Sequence, residues 1–273
     1  MNAPRSTPRL NVGQALREGC QAFSRAPWHF VGFALLLAAL QLLLQALQPT
    51  FSAEKLVLPS GVDPWINWQA WLPTLRYLTV SLGLMVFTAL LGVVLNLWGS
   101  CGLVRAAWIA LGGKRPGFST FLRWDPRALL RLYLPGVLLG FGVIAVVAVV
   151  VLLAVVLSQV NAWLTLPPGL ALLAATLYLG VSQAFLPQVA LLHDDHPFDA
   201  LAQGPRVVDP VWGRVVELLT LQFLLLLAGL LACGVGLLVT IPLMSCVSTA
   251  AYRQLFGPDD RTGLTRGLPE VRS

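Results

Sequence analysis

The sequence predicts an all-α, polytopic transmembrane helix bundle of six spans, with amphipathic interfacial helices on the cytoplasmic side. Three observations carry that fold class. Hydrophobic residues make up 57% of the 273 positions and charged ones 11%, against about half and about a quarter in soluble domains. Uncharged runs cover 26–53, 77–104, 132–193 and 218–252, with lengths of 28, 28, 62 and 35 residues. One span needs about 20 residues, so these runs divide into one, one, two and two spans. The third observation is the placement of the basic residues. With the N-terminus inside, 16 of the 18 Lys and Arg fall in cytoplasmic segments, leaving only Lys55 and Arg76 on the other side. That asymmetry orients the chain with both termini cytoplasmic in the plasma membrane. A five-span reading would export the tail with Arg253, Arg261, Arg266 and Arg272.

Residues 1–10 are polar, contain two prolines and read as a disordered tail; residues 11–257 form one six-helix domain, and 258–273 form a disordered basic tail. No signal peptide is expected, because the first apolar run begins near Phe30 and lacks a small-x-small cleavage pattern. Residues 11–25 read as a surface helix, with Val12, Leu16, Cys20 and Phe23 at steps of three or four and Arg17 and Arg25 able to snorkel. The six spans are placed at 28–48, 78–99, 134–157, 169–192, 217–233 and 236–252. In the outer loop 49–74, Trp65, Trp68 and Trp71 recur every three residues. They fit an interfacial anchor, and a cation cage is the less economical alternative.

The second span continues as a helical pattern through Arg105 and Trp108, and Gly112–Gly113 ends it. Residues 114–133 read as a second interfacial helix, with Phe118, Phe121, Leu122 and Trp124 among Arg123, Arg127 and Arg131. Pro167-Pro168-Gly169 marks a turn and a helix start. In the last apolar block the reversal is placed at 233–236, where two glycines allow it.

His193-Asp194-Asp195-His196 is the one place where histidines and carboxylates cluster. Two histidines and an aspartate could hold a metal, but a third strong ligand is missing. Pro197 at the first helical position, with Asp195 and Asp199 near a helix N-terminus, explains the same residues. Cys20, Cys101, Cys233 and Cys246 are too scattered for a ligand set. No metal or other cofactor is expected.

A weak repeat runs through the chain. Ala15-Leu16-x-x-Gly19 matches Ala200-Leu201-x-x-Gly204, each followed by Pro and Trp (Pro27-Trp28; Pro210 and Trp212) and an apolar run. Residues 118–135 show the same outline less clearly. The chain reads as three copies of a module made of a surface helix, a span out and a span back.

Apart from Glu217 at the first position of the fifth, the expected spans contain no Asp, Glu, Lys or Arg, which argues against an ion-driven pump. Their polar content is amide and hydroxyl. The candidate polar seam within the bundle is Asn96, Ser100, Gln183, Gln188 and Thr240, and Gly136 and Gly140 form a small-residue pair suited to helix packing. Pro135, Pro187 and Pro242 can kink their helices. No nucleophile elbow, zinc-protease motif or phosphate-binding loop is present, so the expected class is not an enzyme. Basic residues sit in short clusters without an RNA-reading motif, which leaves membrane lipids and other membrane proteins as partners and excludes nucleic acid.

At the close of the chain, Gly-x-Gly-Leu-Leu-Val-Thr-Ile-Pro-Leu (234–243) precedes Ala-Ala-Tyr-Arg-Gln-Leu-Phe-Gly (250–257). Upstream stand Asp-Ala-Leu-x-x-Gly-Pro-Arg-Val-Val (199–208) and Trp-x-Arg (212–214). These residues resemble a broad group of bacterial inner-membrane proteins, similar to the membrane domain that some glycerophosphodiester phosphodiesterases carry beside a catalytic barrel. The resemblance implies a six-helix bundle. The barrel is expected to be absent, so no active-site residue is carried over. A non-catalytic module contacting lipid or partner proteins is the expected role, with a permease or channel for a small neutral or lipid-like solute as the alternative.

Overall fold

The computed structural model describes residues 10–48, 72–159, 161–193, 197–232 and 234–264. Trp65, Trp68, Trp71, Asp194, Asp195 and His196 lie outside them, so the expectations on these residues have no structural counterpart. Ten α-helices follow in order: α1 Val12–Ser24, α2 Pro27–Ala46, α3 Leu72–Leu111, α4 Phe118–Leu122, α5 Pro126–Ser158, α6 Leu166–Ser182, α7 Leu186–Leu192, α8 Pro197–Val208, α9 Trp212–Leu231 and α10 Leu237–Phe256. Two single-turn 3-10 segments, Ala162–Thr165 and Asp209–Val211, precede α6 and α9. No strand occurs among the described residues.

Five stretches are long and apolar enough to cross a membrane: Pro27–Ala46, Thr74–Leu111, Pro126–Ser158, Trp163–Leu192 and Phe198–Leu231. The 20 residues of α10 extend about 30 Å at 1.5 Å per residue. Its last turn carries Arg253 and Gln254 and its middle Ser245, Ser248 and Thr249, which makes it less apolar than the other five.

Local chemistry sets the boundaries. Asn11 caps α1, its Oδ1 accepting from Gln14 N at 3.0 Å and so satisfying one of the free donors of the first turn. Gly113, at φ +89°, ends α3 where an L side chain would be strained. The helix expected over 114–133 is instead two elements. Asp125 is extended, precedes Pro126, and accepts from Arg127 N and Ala128 N. Capping and the steric restriction before proline break the pattern there. Only Phe118–Leu122 remains as α4, and the residues from Pro126 onward belong to the long helix α5. The span expected over 169–192 is likewise divided, since Gln183 and Phe185 leave helical geometry and Pro187 stands in the first turn of α7, where its missing N–H costs nothing. Pro197 begins α8 with Asp199 in its first turn.

The reversal between α9 and α10 comes at the expected glycines. Gly234 has φ +76°, and a Cβ on Gly236 would stand 2.6 Å from Gly229 O. The backbones meet so closely there that only glycine fits. Beyond α10, Arg261 N donates to Leu192 O at 3.1 Å, Thr262 Oγ1 donates to Leu191 O at 2.6 Å, and Leu264 is buried. Residues 261–264, read above as part of the tail, are therefore held against α7.

The described residues fall into two compact units, one drawn from Met1–Ala34 with Trp98–Ser273 and the other from Leu35–Leu97. The core of the first is aromatic and small-residue. Phe121 packs edge-on to Phe30 at 5.0 Å and tilted to Phe33 at 5.1 Å between centroids, an arrangement suited to ring quadrupoles. Ala15, Ala22, Ala106, Ala107, Ala250 and Ala251 are buried around it. In the second unit, Thr88 Oγ1 turns back to the carbonyls of Leu84 and Met85, and Val80, Phe87 and Leu90 are exposed.

Candidate functional site

Two of the five seam residues, Asn96 and Gln183, hydrogen-bond to different elements. Asn96 is exposed, and its Nδ2 donates to Gly92 O of its own helix at 2.9 Å; Ser100 is half-buried. Gln183 turns to α8, donating from Nε2 to Leu201 O at 3.0 Å. Gln188 is buried, and its Oε1 accepts no hydrogen bond. Thr240 Oγ1 is buried against the place where Gly229 would carry a Cβ, 2.7 Å away. None of the five lines the clefts described below. Gly136 and Gly140 also differ from expectation, since no heavy atom of another element comes within 4 Å of a Cβ built on either. They do not seat a neighbouring helix.

Close packing is found instead between α1 and α10, α8 and α6, and α3 and α4, all within the first unit. A Cβ on Gly19 of α1 would stand 2.5 Å from Val247 Cγ2 and 2.8 Å from Val247 N of α10. On Gly204 of α8 it would meet Ser182 O of α6 at 2.6 Å, and on Gly102 of α3 it would meet Phe121 O of α4 at 2.8 Å. The three helices that open the repeat outlined above, α1, α4 and α8, thus lie on α10, α3 and α6 in turn. The two Ala-Leu-x-x-Gly motifs are the docking faces of α1 and α8.

Arg105 pins the α3–α4–α5 junction. Its side chain is 0% exposed, and Nη1 donates to Thr120 O at 3.3 Å and Arg123 O at 3.1 Å. Its Nη2 lies 4.0 Å from Asp125 Oδ2. A buried guanidinium needs such partners, because stripping a cation of water is costly unless its N–H groups find acceptors. Sequence reading placed Arg105 only as a topology charge at the end of a span. Nothing in a single sequence marks it as the most buried cation.

A polar cleft is built from residues of α1, the end of α3 and the end of α10. About 440 Å³ in volume, it is lined by Glu18, Gln21, Arg25, Leu111, Arg253, Gln254 and Pro258. Arg25 Nη1 donates to Ala110 O in the last turn of α3, a carbonyl that also accepts from Gly113 N at 3.0 Å. The Arg253 guanidinium lies 5.4 Å from the Trp108 ring centroid, within cation–π range. Gln254 Oε1 accepts from Asn11 N at 2.9 Å, which leaves its Nε2 buried without an acceptor. Glu18 Oε1 accepts from Gln14 Nε2 at 2.7 Å. Among the described residues no carboxylate lies within ion-pair distance of Arg25 or Arg253.

Next to it, His193 is buried with Nδ1 2.8 Å from Tyr252 Oη, and Tyr252 stacks on Phe256 at 4.8 Å. Among the described residues no group of three or more His, Cys, Asp or Glu gathers at metal-binding distance. Cys20, Cys101 and Cys246 are free thiols.

Three exposed tryptophans stand at or just before helix starts. Trp28 opens α2 and is 84% exposed, Trp124 precedes α5 at 58%, and Trp212 opens α9 at 41%. Arg25, Arg123 and Arg214 stand within three residues of them. Comparison with known proteins adds no relative: no family model, curated protein or solved structure matches the chain.

Proposed function

We propose that this chain is a six-span integral protein of the plasma membrane, with both termini cytoplasmic, and that it acts as a non-catalytic module whose working surface is lipid. The observation that carries the reading is α5. The most apolar window of Pro126–Ser158 has a mean hydropathy of 3.2, and none of it is buried. An apolar patch of that extent in water would drive association, and acyl chains are its natural cover.

The tryptophans support the orientation. Trp prefers the level of the head groups, where its ring is apolar and its N–H stays wet, and neighbouring arginines reach the phosphates. Trp28, Trp124 and Trp212 would set the starts of α2, α5 and α9 at one depth and lay α1, α4 and α8 along the interface. With α10 as the sixth span, the α9–α10 hairpin returns the tail to the cytoplasm. The likeness of 199–257 to the membrane domain found beside glycerophosphodiester phosphodiesterases agrees with a six-helix bundle.

The test is topology. A cysteine-reactive or biotinylating tag placed after Ser273 is expected to resist a membrane-impermeant reagent in intact cells and to react after lysis. Labelling in intact cells refutes the six-span arrangement. A protein retained in fixed ratio after mild detergent extraction would move the working surface from lipid to a partner protein.

A further inference from the structure

The geometry points to the cleft between α1 and α10 as a binding site for a phosphate group, with Arg25 and Arg253 as its cationic ligands. Its volume of about 440 Å³ falls in the range of small-molecule sites, about 300–1,000 Å³. Two guanidiniums line it against one carboxylate, Glu18. The balance is a single net positive charge, matching the charge of a phosphodiester.

Neither arginine is neutralised in place. Arg25 gives one N–H to Ala110 O and keeps the rest of its five donors, while Arg253 uses the face of its guanidinium on Trp108, which leaves the edge free. A guanidinium edge is the surface that meets phosphate oxygens in paired hydrogen bonds. Gln254 adds an independent sign. Its Oε1 is committed to Asn11 N, and its Nε2 is a buried donor without an acceptor in the wall of the same cleft. A buried donor left so is costly, and a ligand oxygen would satisfy it. Glu18 limits the charge that enters, favouring a diester over a dianionic monoester.

A phosphate of this kind comes either from a lipid head group or from a soluble phosphate compound. Only the choice of lipid rests on the bilayer reading above; the site itself does not. Arg25 stands three residues before the exposed Trp28, which would place the cleft mouth near head-group level.

The test uses full-length protein purified in neutral detergent and modified with phenylglyoxal, with each arginine followed by peptide mass spectrometry. Three additions are compared: inorganic phosphate, micelles containing dioleoylphosphatidylglycerol, and micelles containing dioleoylglycerol, which lacks phosphate. Charge-assisted hydrogen bonds of this class give about tenfold or more in occupancy each. Phosphatidylglycerol is therefore expected to slow modification of Arg25 and Arg253 about tenfold relative to dioleoylglycerol. Arg214, paired with Glu217 at 2.9 Å outside the cleft, reports general head-group contact, and Arg25 and Arg253 should be protected well beyond it. Protection by inorganic phosphate, with phosphatidylglycerol no better than dioleoylglycerol, keeps the site and assigns it to a soluble phosphate compound. Protection by neither overturns the proposal and leaves the tag experiment to judge the bilayer reading. A double variant, Arg25→Gln with Arg253→Gln, should lose the phosphatidylglycerol adduct in native mass spectrometry. The wild-type protection arms decide the matter even if that variant does not fold.

Discussion

Replacing Gly19 by alanine tests the packing of α1 on α10 at its tightest point. Two effects oppose each other. In a helix interior alanine is favoured over glycine by about 1 kcal/mol, so a glycine with room beside it should gain from the change. At Gly19 there is no room. The new methyl would lie 2.5 Å from Val247 Cγ2, 2.7 Å from Val247 Cα and 2.8 Å from Val247 N. Two of these atoms are backbone and cannot rotate away. To reach ordinary contact α1 must withdraw from α10 by about 1 Å, which loosens the seam that buries Val12, Ala15 and Ala22 against Cys246, Val247 and Ala250. Overpacking of this kind costs about 1–3 kcal/mol. Because two of the clashing atoms are backbone, the cost falls in the upper part of that range, about 2–3 kcal/mol. Taking off the helix-propensity gain leaves a loss of about 1–2 kcal/mol, or a fall in Tm of about 2–8 °C for a chain of this size. Gly136→Ala and Gly140→Ala in α5 are the controls, because nothing lies within 4 Å of either added methyl. They should melt at or slightly above the wild-type temperature. The assay is thermal unfolding in detergent followed by tryptophan fluorescence. A Gly19→Ala protein as stable as wild type, or a Gly136→Ala protein that falls as far, would refute the packing argument.

Two further outcomes follow from the α3–α5 junction. Arg105→Met keeps the length of the side chain but leaves the Thr120 and Arg123 carbonyls without their donor, and should lower stability by about 1–3 kcal/mol; melting unchanged from wild type would show that the buried guanidinium contributes nothing net. Asp125 has two roles, capping α5 and facing Arg105 at 4.0 Å. Asparagine caps as well as aspartate but carries no charge. Asp125→Asn should therefore cost less than Asp125→Ala, which also loses the cap, worth about 1 kcal/mol. Equal losses in the same melting assay would mean that the charge, not the cap, dominates.

The helical class and the positions of the long apolar helices were legible because a run such as 132–193, with 62 uncharged residues, has few other uses. The end of α3 and the α9–α10 reversal were legible as well, because Gly113 and Gly234 occupy backbone conformations that other residues rarely adopt. Two boundaries were not. Between 114 and 133 the helical period continues across Trp124-Asp125-Pro126, and periodicity alone outvoted the cap that breaks it. Between 169 and 192 the apolar run hides a break at Gln183–Phe185 that hydropathy does not register.

The candidate site was less legible than the fold. Ala-Leu-x-x-Gly stood out as a repeat, but its purpose, a backbone approach to Val247 and Ser182, depends on partners far along the chain. The seam of Asn96, Ser100, Gln183, Gln188 and Thr240 was chosen by residue type; Asn96 and Gln183 hydrogen-bond to different elements, while Gln188 Oε1 and Thr240 Oγ1 are buried without a hydrogen-bond partner. Arg25 and Arg253 were each read as orienting charges. Their convergence in one cleft is a tertiary fact, and no local pattern announces it.

The contact between α1 and α10 also orders the events of biogenesis. Asn11 N bonds Gln254 Oε1 across 243 positions of sequence, so α1 receives its partner only after the residues between them have been made. Until then the strip of Val12, Ala15, Gly19 and Ala22 is uncovered. A transcript cut short before α10 would yield a product with that strip permanently open, a ready mark by which cellular surveillance could tell unfinished chains from finished ones.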